Sequence, residues 1–332
     1  MDYTTAINSK IIAENGFALS ILFNPKSNVA FQTLKNTNTT GLLVPFDSLM
    51  KAQLEFLLDK TYDKAEKVLE IFLDMVPMPW TEPIYRRILC QALRASTSVT
   101  DARLARILIR HQRNLKTTNA LLFLYQRMDT PKLAEVLLAT VTKRGLPASA
   151  TPRDIVAFRY YQGRVLLGCG RFIEAREALL FVYKIRACRP LVAPYLYLAS
   201  ACCGFYPREP VMNRNGCNKM VSLIRGLRRG EPWEEDVGYY TSLGLLRHMK
   251  VTLPLIRMRN RIRIIYYLLN EDSKVRGIYL RNGIKDESIS NDEWIWKLLN
   301  LIELGYIRGY LSLTKDIVVF SKIDPFPILN KI

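Results

Sequence analysis

Histidine is almost missing from this 332-residue chain: only His111 and His248 occur, neither near a cysteine nor within an HExxH. The six cysteines, at 90, 169, 188, 202, 203 and 217, form no CxxC pair. A closed zinc site draws its four ligands from spaced pairs, so zinc-finger chemistry is not expected. The thiols read as free cysteines of a reducing compartment, cytosol or nucleus. The phosphate-cradling GxGxxG and GxxxxGK[ST] loops and the GxSxG elbow are absent as well. Neither histidine has a carboxylate and a nucleophile beside it, so the sequence predicts no enzyme, no cofactor and no small-molecule substrate. Glycine and proline, 16 each, are too few for a collagenous or low-complexity chain. Long apolar runs are scarce too. The stretch of 18 uncharged residues between Arg189 and Arg208 contains Pro190, Pro194 and Pro207, and reads as a buried helix, not a membrane span. With Asp2 and no basic segment before an apolar core, a signal peptide is not expected either.

Charge of one sign is abundant. The chain carries 48 Lys plus Arg against 30 Asp plus Glu, a net +18. Residues 1–150 hold 19 basic and 13 acidic side chains (+6), and 151–332 hold 29 and 17 (+12). Such a surplus favours a polyanionic partner. Apolar residues, at 49%, are numerous enough for a folded core.

One spacing recurs along the first two-thirds. Tyr62, Ala65, Leu69 and Phe72 share their offsets with Pro131, Ala134, Leu138 and Val141, and with Phe172, Ala175, Leu179 and Val182. On an α-helix these positions lie on one face, with the small alanine where a neighbour comes closest. A proline (Pro79, Pro147, Pro190) follows and closes each unit. In the third copy Tyr160, Gly163 and Leu167 lie on the preceding helix, and Gly170-Arg171-Phe172 makes the turn. This predicts stacked helical hairpins of about 35–45 residues, a tetratricopeptide-like right-handed solenoid.

The pattern changes near residue 270. A last long helix from about Leu253 to Asn270 has the apolar stripe Met258, Ile262, Ile265 and Leu269. Residues 271–289 read as a polar stretch, short for the second helix of a winged helix. Ser290 and Glu293 then form a capping box, with a stripe of Ile295, Leu298, Leu299 and Ile302 and a terminating Gly305. Tyr306 to Leu313 and Ile317 to Ser321 read as two strands around Thr314-Lys315-Asp316. Helix, strand, turn, strand is the end of a winged helix, and Asp324-Pro325-Phe326-Pro327 stops further regular structure. The fold class is mainly α: 1–150 an N-terminal helical repeat region, 151–270 further repeats, 271–327 a winged helix and 328–332 a tail.

Helical repeats running into a winged helix resemble the PCI-domain family. Asn291-Asp292-Glu293, Leu299-Asn300-Leu301-Ile302, Gly305 to Tyr310, Val318 to Lys322 and the Asp324-Pro325-Phe326-Pro327 ending are similar to one branch, the Thp-type subunit of the transcription-coupled mRNA export complex and its signalosome-associated paralogue. Phe158 to Arg164, Phe172, Ala175 and Arg259 to Ile262 agree, so the likeness covers about residues 155–327. The resemblance implies a non-catalytic scaffold in the nucleus at the nuclear pore. It also implies a larger PCI-like helical subunit, a small acidic Sem-type peptide and RNA or DNA as partners, and no membrane. A stand-alone helical-repeat adaptor without nucleic-acid binding is the alternative.

Two residue groups are candidates. Trp296 and Lys297 project from the 290–304 helix, and Arg308, Lys315 and Lys322 lie on the strands and their turn; they suit nucleic acid or a protein contact. Arg171, Arg176, Lys184, Arg186 and Arg189 surround the third hairpin as a dock for the acidic peptide. Arg257, Arg259, Arg261 and Arg263 flank the apolar seam of the long helix on both sides, as solvated flanks or as phosphate or acidic-partner contacts.

Overall fold

A computed structural model describes residues 3–22, 42–75, 78–111, 114–148, 150–234, 236–269, 272–284 and 290–329. The chain forms two compact units, 1–130 and 131–332. The division falls ahead of the 150/151 boundary drawn from the sequence, so the helix that begins at Pro131 goes with the second unit.

The first unit contains α1 (Tyr3–Ile12), α2 (Gly16–Leu22), α3 (Phe46–Leu58), α4 (Tyr62–Asp74), α5 (Glu82–Ala95), α6 (Asp101–Arg110) and α7 (Leu115–Arg127). The recurring spacing holds on α4, where Tyr62, Ala65 and Leu69 are buried, while Phe72 is half-buried and stacks on Tyr85 at 5.7 Å. Pro79 begins a short 3₁₀ turn leading into α5. Asp101 is fully buried, and its carboxylate accepts from Arg127, which also reaches Ser96 Oγ.

The second unit opens with α8 (Pro131–Arg144), α9 (Pro152–Gly168), α10 (Phe172–Tyr183) and α11 (Arg189–Cys202). Thr151 caps α9 by accepting from Asp154 N at 3.2 Å. The α9–α10 hairpin forms as the sequence predicts. Gly170 turns the chain at φ +77°, and Phe172, Ala175, Leu179 and Val182 are all buried. Gly163 brings α9 against α10: a Cβ there would lie 2.5 Å from Leu179 Cγ. Pro190 opens α11 and does not close α10, since its missing N–H costs nothing in a first turn. The uncharged stretch is the buried helix expected, covered from Val192 to Cys202. No helix among the described residues is long and apolar enough to cross a membrane. The short α12 (Glu209–Arg214), α13 (Val221–Arg229) and α14 (Val237–Ser242) follow.

The long helix α15 (Leu253–Leu268) leads into the winged helix: β1 (Lys274–Arg276), α16 (Gly277–Ile284), α17 (Asn291–Glu303), β2 (Gly309–Ser312) and β3 (Ile317–Phe320). The stretch 272–284, read as polar connection, thus holds a strand and a helix. Three residues are too few for strand periodicity to emerge from sequence. β1 exists because β3 offers it an edge, with Lys274 opposite Val319 and Arg276 opposite Ile317. The sheet order is β1-β3-β2, antiparallel throughout. Ser290 caps α17 as expected, accepting from Glu293 N at 3.2 Å. Gly305, at φ +67°, closes it, with Tyr306 N donating to Leu301 O at 2.8 Å. The buried seam of α17 is Trp294, Leu298 and Leu301, rotated from the predicted stripe; Ile295 and Ile302 only edge it. Leu269, predicted on the α15 seam, is 37% exposed because the helix has ended. The proline-rich ending is more than a stop signal. Phe326 packs on Tyr266 and Phe320 at 5.4 and 5.5 Å, and Leu329, assigned to a tail, is buried.

Candidate nucleic-acid interface

The four arginines of α15 part company. Arg259 is 4% exposed: Nε donates to Tyr306 O at 2.9 Å, Nη2 to Pro327 O at 2.6 Å and Nη1 to Asn260 Oδ1 at 2.9 Å. Asn260 in turn donates to Leu227 O (2.7 Å) and Tyr206 Oη (3.1 Å) on the helical side. Burial, and next the nearby Arg263, push the Arg259 guanidinium down to about 10. Its assignment to a partner surface is therefore corrected. α15 is covered on two sides, by the helical stack and by the winged helix, so a position flanking one seam lies inside the other. Arg261 donates to Gly283 O at 2.9 Å, Arg257 lies 5.5 Å from the Trp233 ring, and Arg263 is exposed beside Tyr267.

Arg257 and Arg261 meet Lys297 of α17 around a cavity of about 340 Å³, whose walls include Pro232, Pro254, Leu255, Met258 and Trp294. Glu231 also lines it. Two residues assigned to a protein partner and one assigned to nucleic acid thus share a single recess.

Around the third hairpin the cations are unequal. Arg171, just ahead of α10, is paired with Glu174 of its first turn, which raises its pKa; Arg176 lies 4.4 Å from the Phe205 ring, and Arg189 donates to Tyr183 O at 3.1 Å. Lys184 and Arg186 are exposed.

The winged-helix candidates divide similarly. Trp296 stands 72% exposed. Lys297 pairs with Glu293 at 2.6 Å and Arg308 with Asp324 at 3.0 Å, which discounts both as cations for an incoming anion. Lys315 and Lys322 are exposed. The structure adds positions missed in the sequence. Val275, Val318 and Phe320 point into the core, so Lys274 and Arg276 of β1 and Tyr310 of β2 stand on the opposite, open face of the sheet. The only signal in sequence was the alternation Lys-Val-Arg, too short to be read.

Among the described residues no group of three or more His, Cys, Asp or Glu is placed to hold a metal ion. His248 is half-buried and pushed down to about 4 by desolvation and by Arg247, which keeps it neutral. Burial likewise raises Cys203 and Cys217 to about 11, well away from a reactive thiolate.

A mainly helical chain ending in a winged helix locked by its proline-rich tail matches curated relatives. A PCI domain-containing protein 2 of Danio rerio is 25% identical over 227 residues, covering 64% of this chain and 57% of that protein. Its homolog in Dictyostelium discoideum is 22% identical, with 65% and 53% covered, and a PCI domain-containing protein of Schizosaccharomyces pombe is 26% identical, with 62% and 52% covered. The chain is similar to PCI domain-containing proteins over about 64% of its length. It spans about half the length of the curated relatives it matches. No family model matches the sequence. Within this chain, Arg259 is bonded to the winged-helix side of α15 and Asn260 to the helical side.

Proposed function

We propose that this PCI-domain chain is a non-catalytic scaffold subunit of a multi-chain complex, with its winged helix contacting RNA or DNA. The finer reading is a nuclear complex that couples transcription to mRNA export at the nuclear pore. In it the chain holds a larger PCI-like helical subunit and a small acidic Sem-type peptide. The observation that carries the proposal is the junction at α15: one helix shares its two sides between the repeat stack and the winged helix, so a partner gripping the helices fixes where the winged helix points. The charge supports an acidic partner, because residues 151–332 alone carry +12. Lys184 and Arg186, exposed on the third hairpin, and Arg257 and Arg261 at the recess are the cations such a peptide would meet.

Affinity purification of the full chain from the cells that make it tests this. The expected co-purifying chains are a larger PCI-like helical protein and a small acidic peptide. Co-expression with that peptide should raise the soluble yield. A chain recovered alone, monodisperse and without affinity for an acidic Sem-type peptide, refutes the assembly. Reproducible hydrolysis of a nucleotide, peptide or phosphoester, abolished by one substitution at His111 or His248, refutes the non-catalytic assignment.

A further inference from the structure

The open face of the winged-helix sheet has a pattern of its own. Strand pairing sets Lys274, Val319 and Tyr310 in one row and Arg276, Ile317 and Ser312 in the next. Tyr310 is 61% exposed, and Lys274 and Arg276 are exposed. Two strand spacings separate Lys274 from Tyr310, roughly 10 Å, and two residues along β1 separate its cations by roughly 7 Å. The turn beside this face carries Lys315, and Lys322 follows β3, both exposed. Two carboxylates border it: Asp272 accepts from Lys274 N at 3.0 Å, and Asp316 lies over Gly277.

We infer that this sheet face is a seat for single-stranded nucleic acid, with Tyr310 stacking on a base and Lys274 and Arg276 taking phosphates. This rests on the nucleic-acid reading above and centres the contact on the open sheet face, with Lys274, Arg276 and Tyr310 in place of Trp296 and Lys297. A tyrosine standing off a flat sheet has a π-face for an unpaired base, and stacking is indifferent to sequence. In a duplex the bases are already stacked on each other, and a flat face about three strands wide enters neither groove. Groove binding would fall to α17, where Glu293 already holds Lys297 and where Asp292 and Glu303 are exposed. The outer sheet face is the more positive of the two.

The test uses the full chain and fluorescence anisotropy with a labelled oligouridylate of about 20 nucleotides and an RNA duplex of the same length, each over a range of salt. Tyr310→Ala should weaken oligouridylate binding by about 5- to 150-fold and leave the duplex within about twofold, while Tyr310→Phe stays near the parent. Lys274→Glu with Arg276→Glu should flatten the salt slope by about 0.7 for each phosphate no longer neutralised. Thermal unfolding of each variant should match the parent, since all three side chains are exposed. A parent chain that binds neither probe at low salt overturns both the nucleic-acid reading and this face. A parent that binds while the Tyr310 and Lys274/Arg276 variants bind as tightly, and Trp296→Ala does not, leaves the nucleic-acid reading standing and overturns the sheet face. Equal loss of duplex and single strand on Tyr310→Ala also overturns it.

Discussion

Replacing Arg259 by methionine probes the joint between the helical stack and the winged helix. The side chain is 4% exposed and holds the carbonyls of Tyr306 and Pro327. Methionine keeps much of the stem's volume and leaves both acceptors without a donor, at about 1–3 kcal/mol each. Against that loss, a buried cation is removed. The fall of Arg259 to about 10 from its ordinary 12.5 corresponds to roughly 3 kcal/mol of disfavoured charge. The net cost of Arg259→Met then lies between about −1 and 3 kcal/mol, and Arg259→Ala, with a cavity added, costs more than Arg259→Met. Urea denaturation gives the free energy, and carboxypeptidase sensitivity reports whether the Pro325-Phe326-Pro327 segment has come loose. Arg259→Lys sharpens the test. A lysine there would bind its proton more weakly folded than unfolded, so the unfolded chain holds more protons below about pH 10.4 and stability rises as pH climbs toward that value. The parent, whose guanidinium is charged throughout, should lack this rise between pH 7 and 9. A methionine variant whose Pro325-Phe326-Pro327 segment is as protected as the parent's refutes the clamp.

Gly163→Ala should destabilise by about 1–3 kcal/mol, since its Cβ would stand 2.5 Å from Leu179 Cγ; an unchanged urea midpoint would show that the α9–α10 hairpin packs otherwise. Asp101→Ala removes the buried acceptor of Arg127, and should lower the first unit's stability by about 1–3 kcal/mol, because Arg127 is 30% exposed and can rehydrate; a thermal midpoint equal to the parent's would contradict this. His248 is depressed to about 4, so its neutral form stabilises the fold fully above about pH 6.5, and that contribution is lost as pH falls through 6.5 toward 4. His248→Gln should blunt the loss of thermal midpoint between pH 7 and 4.5, and an identical acid response in both proteins would refute it.

The sequence by itself determined the helical class, the α9–α10 hairpin, the buried helix within residues 190–207, the Ser290 cap of α17 and the β2–β3 turn. Each rests on near neighbours: Thr151 and Ser290 cap within three residues, Gly170 and Gly305 supply positive φ, and Phe172 to Val182 repeat at helical spacing. Tertiary structure decided what depends on distant partners. β1 is a strand only because Ile317 to Val319 pair with it across some forty intervening residues. Arg259, polar in sequence and set with Arg263 on one flank of the seam by its spacing, is an interior residue because the winged helix folds back over α15 and delivers two carbonyls to it. The same closure turned the Phe326 segment from a terminator into core. Charge count is a property of composition. Which charges face outward unspent is a property of packing.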